Sequence, residues 1–413
     1  VSFVTLATDT VAPLSAHAPG MPIVTVIGDG QLARMLHTEA IELGLSLRIL
    51  ASSPDSSAAQ VTHDVVIGDY LNLDDLRRVA DKSSVITFDH EHVPNEHLEQ
   101  LISEGYNVQP APSSLIYAQD KLVMRQHLAA LGAPVPEFAE ISSVSEARSF
   151  WHSVNAEVCI KARRGGYDGH GVWFPRSETE LTELVSKLLA AGTLVMAEKK
   201  VPLVRELSTL VARTPSGKVK SWPVVESVQT GGICTETIAP APGLEPQIMQ
   251  RAQELAIKIA TELGVTGVLA VELFETTTHT GETEIYVNEL AMRPHNTGHW
   301  TQDGCVTSQF EQHIRAILDY PLGDTSPVAP VTVMVNVLGA QDDPQLPMQQ
   351  RMQEVWQRFP EAKIHLYGKT YRAGRKLGHV NLSGTDLVQV RRNAQLAAGF
   401  LAQGCWLDSA REK

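Results

Sequence analysis

Val271-Glu272-Leu273-Phe274 and Val287-Asn288-Glu289-Leu290, the second running straight into Ala291-Met292-Arg293-Pro294-His295-Asn296-Thr297-Gly298-His299-Trp300, decide the reading of this chain. Both stretches are strand-like, starting near Val268 and Ile285, and the polar segment Thr-Thr-Thr-His-Thr-Gly-Glu-Thr between them is a turn. With Thr280-Gly281 at the centre of a hairpin, Glu272 falls directly opposite Glu289, on one face, with Cβ atoms about 5 Å apart. Apolar neighbours flank each of them: Val268 and Ala270 beside one, Ile285 and Val287 beside the other. Two carboxylates so placed repel unless a proton or a cation lies between them. Mg²⁺ carrying nucleotide phosphates suits the pair, because it takes one or two carboxylates plus phosphate oxygens. The plain alternative is a solvated edge hairpin. Against it stands the crowding of Arg293, His295, Asn296, His299 and Trp300 behind the acidic strand end, since loops of such groups on a rigid scaffold usually carry function.

The rest of the chain bounds this reading. Its 413 residues are enough for two to three domains with sizeable cores, and 43% hydrophobic with 20% charged residues is a globular composition. A net charge of −13 argues against a nucleic-acid or membrane binder, while leaving room for a local basic site for a phosphorylated small molecule. Cys159, Cys234, Cys305 and Cys405 are scattered without a CxxC, which points to a reducing, cytoplasmic setting and no zinc site. No apolar run reaches membrane-spanning length. Residues 1–20 lack a basic leader region and carry Asp9, so they read as a poorly ordered or loosely docked extension rather than a signal peptide.

From Met21 to about Gln109, strands (Ile23–Ile27, Ser46–Leu50, Val65–Ile67, Val85–Phe88) alternate with helical stretches, the pattern of an open parallel sheet. A second unit starts near Asp120, which can cap a helix through Leu122, Met124, Leu128 and Leu131 that Gly132 and Pro134 end. The strand Val158–Lys161, the capping box Ser177–Glu180 with its helix, and Leu194–Glu198 complete a small α+β unit. A larger region follows from about Leu203, and the Pro- and Asp-rich stretch Gly339–Pro347 sets off a short C-terminal part.

Four further constellations carry chemistry. Gly28-Asp29-Gly30-Gln31-Leu32-Ala33 fits the dinucleotide pattern G-x-G-x-x-A between a strand and a helix, although no acid follows Leu50 to take an adenosine ribose. What survives is an N-terminus suited to an anion, or a tight turn with no ligand. Lys161-Ala-Arg-Arg-Gly165-Gly166-Tyr167-Asp168-Gly169-His170-Gly171 places a strand lysine before a glycine loop whose N–H groups can wrap a polyphosphate; a bare glycine hairpin is the alternative. Glu198-Lys199-Lys200-Val201, with Glu206 beyond, can border an adenine and a ribose, or be a linker of solvated charges. Tyr371-Arg372-Ala373-Gly374-Arg375-Lys376 sets three cations around a turn, as an anion site or a solvated basic loop.

Taken together, these segments resemble the ATP-grasp enzymes, and within them the family of N5-carboxyaminoimidazole ribonucleotide synthases. GDGQLARML, FDHEHVP, QDK, KARRGGYDGHG, EKKVP, VELF, NELAMRPHNTGHW and GRKLGHVN occur in family order from Gly28 to Asn381. The resemblance implies an α/β and α+β fold of three domains: an N-terminal Rossmann-like open parallel sheet at 21–118 that contacts the ribonucleotide, a small lid domain at 119–202, and 203–413 with the Mg²⁺, ATP and bicarbonate site. It implies ATP with Mg²⁺, or Mn²⁺ in its place, held by Glu272 and Glu289 with Asn288 beside them. Lys121 and Lys161 would contact phosphates, Gly165, Gly166, Tyr167, Asp168, Gly169, His170 and Gly171 would close over them, Glu198, Lys199, Lys200 and Val201 would border adenine, and Glu206 would take the ribose.

The implied reaction is attack of bicarbonate on the γ-phosphate, giving carboxyphosphate and ADP, and capture of the carboxyl group, or of released CO₂, by the exocyclic amine of aminoimidazole ribonucleotide, a step of purine biosynthesis. Arg293, His295 and Lys376 would stabilise the anions. Tyr167 and Asp168 would orient the amine, Asp168 either accepting its proton or only orienting it. Gly30, Gln31, Leu32 and Glu91 would contact the ribonucleotide, and Arg372 or Arg375 its 5′-phosphate. A homodimer is implied as well; coupling to a downstream mutase is open. Departures from the family pattern are His170 for an arginine, Met292 for a proline, Tyr371 and Ala373 in the basic turn, and the extension before Met21. The competing readings are another ATP-grasp ligase, such as a formate-dependent glycinamide ribonucleotide transformylase or a biotin carboxylase, a silent nucleotide-binding scaffold, and a nicotinamide dehydrogenase.

Overall fold

A computed structural model describes residues 16–166, 170–278 and 280–406. Its first unit is a parallel sheet of four strands, with Val24–Ile27 between Leu47–Ala51 and Val85–Phe88 and with Asp64–Ile67 outermost. Val24–Ile27 is buried throughout, as a strand covered on both faces must be. Most of residues 1–20 lie outside the described residues; within the described part, His17 Nε2 meets Asp64 Oδ2 at 2.7 Å and ties the extension to the outer strand.

The second unit is an antiparallel sheet ordered Phe138–Ile141, Val195–Lys199, Val158–Ala162, Val172–Trp173. The helices Val144–Ser153 and Glu178–Ala190 bury Trp151, Leu181 and Val185 against it. Ahead of it runs the helix Lys121–Ala130, capped by the Asp120 side chain on the N–H groups of Leu122 and Val123.

A nine-stranded sheet organises the remainder. Its path runs from Thr283–Ala291 through Gly267–Thr277, Leu203–Arg213, Val225–Thr230 and Ile233–Ala239 to Val331–Leu338, Lys376–Gly384 and Lys363–Leu366. Gly339–Pro347, expected to set off a short C-terminal part, falls between two paired strands of this same sheet. Val331–Leu338 pairs with Ile233–Ala239, so the basic turn and the acidic hairpin are carried on one continuous sheet.

His313 fastens the first unit to this sheet. It is fully buried; its Nδ1 accepts from the Val268 N–H at 3.0 Å and its Nε2 lies 2.8 Å from the Thr87 hydroxyl. Gly267 leaves the room, since a Cβ there would sit 2.7 Å from the ring. Replacing His313 with Leu strands two buried polar groups, and urea denaturation is expected to show a loss of about 2–4 kcal/mol. Burial pushes the His313 pKa down from 6.5 to about 3. The folded value lies below the unfolded one, so this stability is present above pH 6.5 and is lost as pH falls towards 3. The Leu variant should lose that part of the slope.

Candidate active site

The acidic hairpin forms, with one refinement. Ala270 pairs with Ala291 and Val271 with Leu290, but Leu273 pairs with Val287, so Glu272 faces both Asn288 and Glu289. This is a bulge, a device that re-aims side chains beside functional sites. Asn288 Nδ2 reaches Glu272 Oε2 at 3.5 Å. Burial first, then the charges of Glu289 and Glu206, push the Glu272 pKa well above its ordinary range. Burial acts on Glu289 in the same direction, but Lys121 and Lys161 overcome it and hold that carboxyl below its usual value. Glu206 is pushed up to about 7 by burial and by Glu289. Among the described residues no three metal-ligating side chains gather at one point, so the hairpin offers Glu272 and Glu289 as a pair, and a divalent ion between them would remove the repulsion that raises Glu272.

A cationic wall faces the hairpin. Lys121 Nζ binds Glu289 Oε1 at 2.5 Å. Lys161 Nζ lies 2.7 Å from Glu198 Oε2 and 3.3 Å from Asn288 Oδ1. The Glu198 carboxylate also takes Arg125 Nε at 2.7 Å, and Arg125 Nη2 donates to the Asn288 carbonyl at 2.7 Å. Glu198 is 2% exposed, so the alternative of a linker with solvated charges fails there, and its carboxylate is committed to fixing Lys161. Burial raises the Glu198 pKa, yet Lys161 and Arg125 together bring it down to about 2. Lys199 and Lys200 are the exposed members of this segment, Lys199 being paired with Glu137 at 2.6 Å. Asp120 ties the root of the glycine loop to the helix bearing Lys121, accepting Arg163 Nη2 at 2.9 Å and Arg164 Nε at 3.3 Å.

Past the hairpin, Arg293 Nε pairs with Glu91 Oε2 at 2.9 Å, across from the first unit. His295 Nε2 lies 3.3 Å from Glu272 Oε1. The peptide groups of His295 are clamped by the Gln309 side chain, which accepts from its N–H and donates to its carbonyl, both at 2.8 Å. Burial, then Arg293 and Lys376, push the His295 pKa down to about 3.

These groups line one cleft of about 1040 Å³, at the upper end of ligand-site sizes. It brings together Lys121, Lys161, Gly165, Gly166, His170, Glu198, Lys199, Lys200, Val201, Glu206, Glu272, Asn288, Glu289, Arg293, His295, Lys376 and, from the first unit, Glu91. Tyr167, Asp168 and Gly169 lie outside the described residues. Gly171, Gly30, Gln31, Leu32, Arg372 and Arg375 are not in its lining.

Three expectations change here. The Leu32 side chain belongs to the core at 8% exposure, so it offers a ligand only its backbone. The Gly30 N–H is already taken by Asp89 Oδ2 at 2.6 Å, and a Cβ on Gly28 would fall 1.7 Å from Asp89 Oδ1. The anion on this helix N-terminus is therefore the chain's own carboxylate, whose pKa burial pushes up to about 6. Of the three cations of the basic turn only Lys376 lines the cleft; Arg375 bonds the Thr370 carbonyl and hydroxyl, and all three lie close enough to Lys369 to act on its charge. Lys369, which the sequence reading passed over, bonds Gln31 Oε1; burial, then Arg375, pushes its pKa down to about 8. Arg125 was missed as well. A charge between Leu122 and Leu128, on the buried face of a helix, was its visible sign.

Three domain families match in succession: the ribonucleotide synthetase preATP-grasp domain at 21–119, the ATP-grasp domain at 126–310, and the phosphoribosylaminoimidazole carboxylase C-terminal domain at 332–393. The N5-carboxyaminoimidazole ribonucleotide synthase of Corynebacterium ammoniagenes is 62% identical over 401 residues, 95% of each chain. The chain belongs to the N5-carboxyaminoimidazole ribonucleotide synthase family. The Bacillus subtilis (strain 168) member of the synthase family is 34% identical, over 87% of this chain and 90% of that one. Among solved structures, a synthetase in complex with ADP superposes with a TM-score of 0.83 at 33% identity, over 93% and 98% of the two chains. The synthase of Aspergillus clavatus with ADP and 5-aminoimidazole ribonucleotide superposes at 0.82 and 29% identity, over 92% and 98%. With the family established, the ATP-grasp architecture expected from the sequence holds.

Proposed function

We propose that this cleft carries out the ATP- and bicarbonate-dependent carboxylation of 5-aminoimidazole ribonucleotide to its N5-carboxy derivative, a step of purine biosynthesis. The observation that carries the reading is the meeting of Lys121, Lys161, Glu272 and Glu289 with Arg293, His295 and Lys376 in one cleft. The first four supply an ATP-phosphate site and the last three a site for small carboxylate-like anions. A dehydrogenase needs neither, and a silent scaffold would be expected to lack one of the acids or lysines.

Mg²⁺, or Mn²⁺ in its place, held by Glu272 and Glu289 would neutralise phosphate charge and polarise the γ-phosphate. Lys121 and Lys161 orient the phosphates, Lys161 being fixed from behind by Glu198. A bicarbonate oxygen attacks the γ-phosphorus, the bond to ADP breaks, and carboxyphosphate forms. Arg293, His295 and Lys376 donate to its oxygens in a site from which water is largely displaced, where such donors act most strongly. The ribonucleotide amine then attacks the carboxyl carbon, releasing phosphate and losing a proton; Tyr167 and Asp168 are the residues we assign to orienting it. Glu206 is assigned to the ATP ribose.

Lys369, beside Gln31, is assigned to the ribonucleotide 5′-phosphate together with Arg372 or Arg375. Lys369→Met is expected to raise the KM for the ribonucleotide about tenfold or more, leaving that for ATP in place; steady-state titration of each substrate checks it. The reading as a whole is tested by ADP release with MgATP, varying ribonucleotide and bicarbonate independently. Release that requires both supports it. Release indifferent to the ribonucleotide but driven by formate and another acceptor would replace the substrate and keep the ATP site.

A further inference from the structure

We propose that Ser208 and Thr297 are positioning residues that fix His295 in the tautomer with its proton on Nε2, so that its one ring N–H faces the anion site. The proposal rests on the reading of the cleft as a carboxylation site, which it deepens. Both residues are fully buried, and they lie behind the cleft lining rather than in it.

The geometry fixes the direction of each hydrogen bond. The backbone N–H of Thr297 points at His295 Nδ1 at 3.5 Å, and a backbone N–H can only donate. Nδ1 therefore presents its lone pair. The Thr297 hydroxyl lies 2.9 Å from the same nitrogen and 2.8 Å from the Ser208 hydroxyl. The order consistent with an accepting Nδ1 has Ser208 donating to Thr297 and Thr297 donating to Nδ1, the shorter hydroxyl contact and the longer N–H contact sharing its one lone pair. The reverse order would put a proton on Nδ1 facing the Thr297 N–H, donor against donor. With Nδ1 an acceptor, the ring proton sits on Nε2, the nitrogen 3.3 Å from Glu272 Oε1.

The sheet register supplies the second half of the mount. Ser208 pairs with Glu272 on the neighbouring strand. A single rung thus supports the imidazole at both ends, with Glu272 at Nε2 and Ser208, through Thr297, at Nδ1. The opposite tautomer would turn a lone pair towards bicarbonate and carboxyphosphate, and an anion would be repelled where it should be bound.

The test uses the full chain labelled with ¹⁵N-histidine. The ring signals of His295 are identified as those lost in His295→Gln, and long-range ¹H–¹⁵N correlation reports which nitrogen carries the proton. The wild type is expected to show the proton on Nε2, Thr297→Val a mixture of tautomers, and Thr297→Ser the wild-type pattern. In parallel, Thr297→Val should lower kcat about tenfold with KM for ATP unchanged, and Thr297→Ser should restore it. If Thr297→Val does not fold, Ser208→Ala is read in the same way. A wild-type proton on Nδ1, or a Val variant with unaltered tautomer and rate, overturns the proposal. A wild type that shows no ribonucleotide-dependent turnover overturns the assigned reaction, while the ¹⁵N pattern still decides the tautomer.

Discussion

Glu289→Gln is expected to remove turnover, by about a thousandfold or more, while the protein still folds. The carboxylate does two things that an amide of the same shape cannot. It is the charged member of the acidic pair, and it is the partner of Lys121 at 2.5 Å. Loss of the pair should also cost about 1–2 kcal/mol, less than for a sealed pair because the Glu289 side chain is 35% exposed to the cleft. Glu272→Gln should behave differently. Burial and the charge of Glu289 push its carboxyl towards the protonated form, which the amide resembles. The folded pKa lies above the usual 4.5, so stability present below pH 4.5 is lost as pH rises towards the folded value. Glu272→Gln should flatten that decline, and Mg²⁺ should reverse it in the wild type only. Thermal melts from pH 4 to 9 (roughly the window of that titration), with and without Mg²⁺, check the pair. A Glu289→Gln protein with near-normal ADP release would sink the metal assignment.

Glu198→Ala is expected to be the most destabilising single change in the cleft, at about 3–5 kcal/mol. Arg125 is fully buried and Lys161 nearly so, and the change leaves both facing each other across an empty space. The Glu198 pKa of about 2 fixes the pH signature. Its contribution is present above pH 4.5 and is lost as pH falls towards 2. Urea denaturation at pH 7 and pH 3.5 should therefore show a gap between wild type and variant that narrows in acid. A constant gap would mean that packing, not charge, holds the three together.

Much of this was legible in the chain. The alternation of strands before Gln109 and the hairpin between Val268 and Ala291 follow from period-two patterning, and Glu272 does face Glu289. The extra residue Asn288 was not legible, because a bulge leaves no mark in such a pattern. Gly28 and Gly30 were read as room for a ligand, since the spacing is the same whether a phosphate or a carboxylate fills it. Asp89 fills it, from just past the end of the strand Val85–Phe88. The basic turn was read without Lys369, because adjacency in sequence says nothing of which further cation a fold brings beside a loop. Arg125 and Gln309 are helix residues whose roles exist only once distant segments meet them.

The seating of Asp89 has a consequence for molecules other than the substrates. A cell is rich in nicotinamide and flavin dinucleotides, and the first turn of this chain has the shape that welcomes their pyrophosphate. Here the welcome is withdrawn from within. A diphosphate arriving at Gly30 would compete with a tethered carboxylate for the same N–H and would meet its negative charge at close range. The chain thus keeps the turn of a common nucleotide-binding scaffold with its own carboxylate seated on the N–H that such a visitor would use.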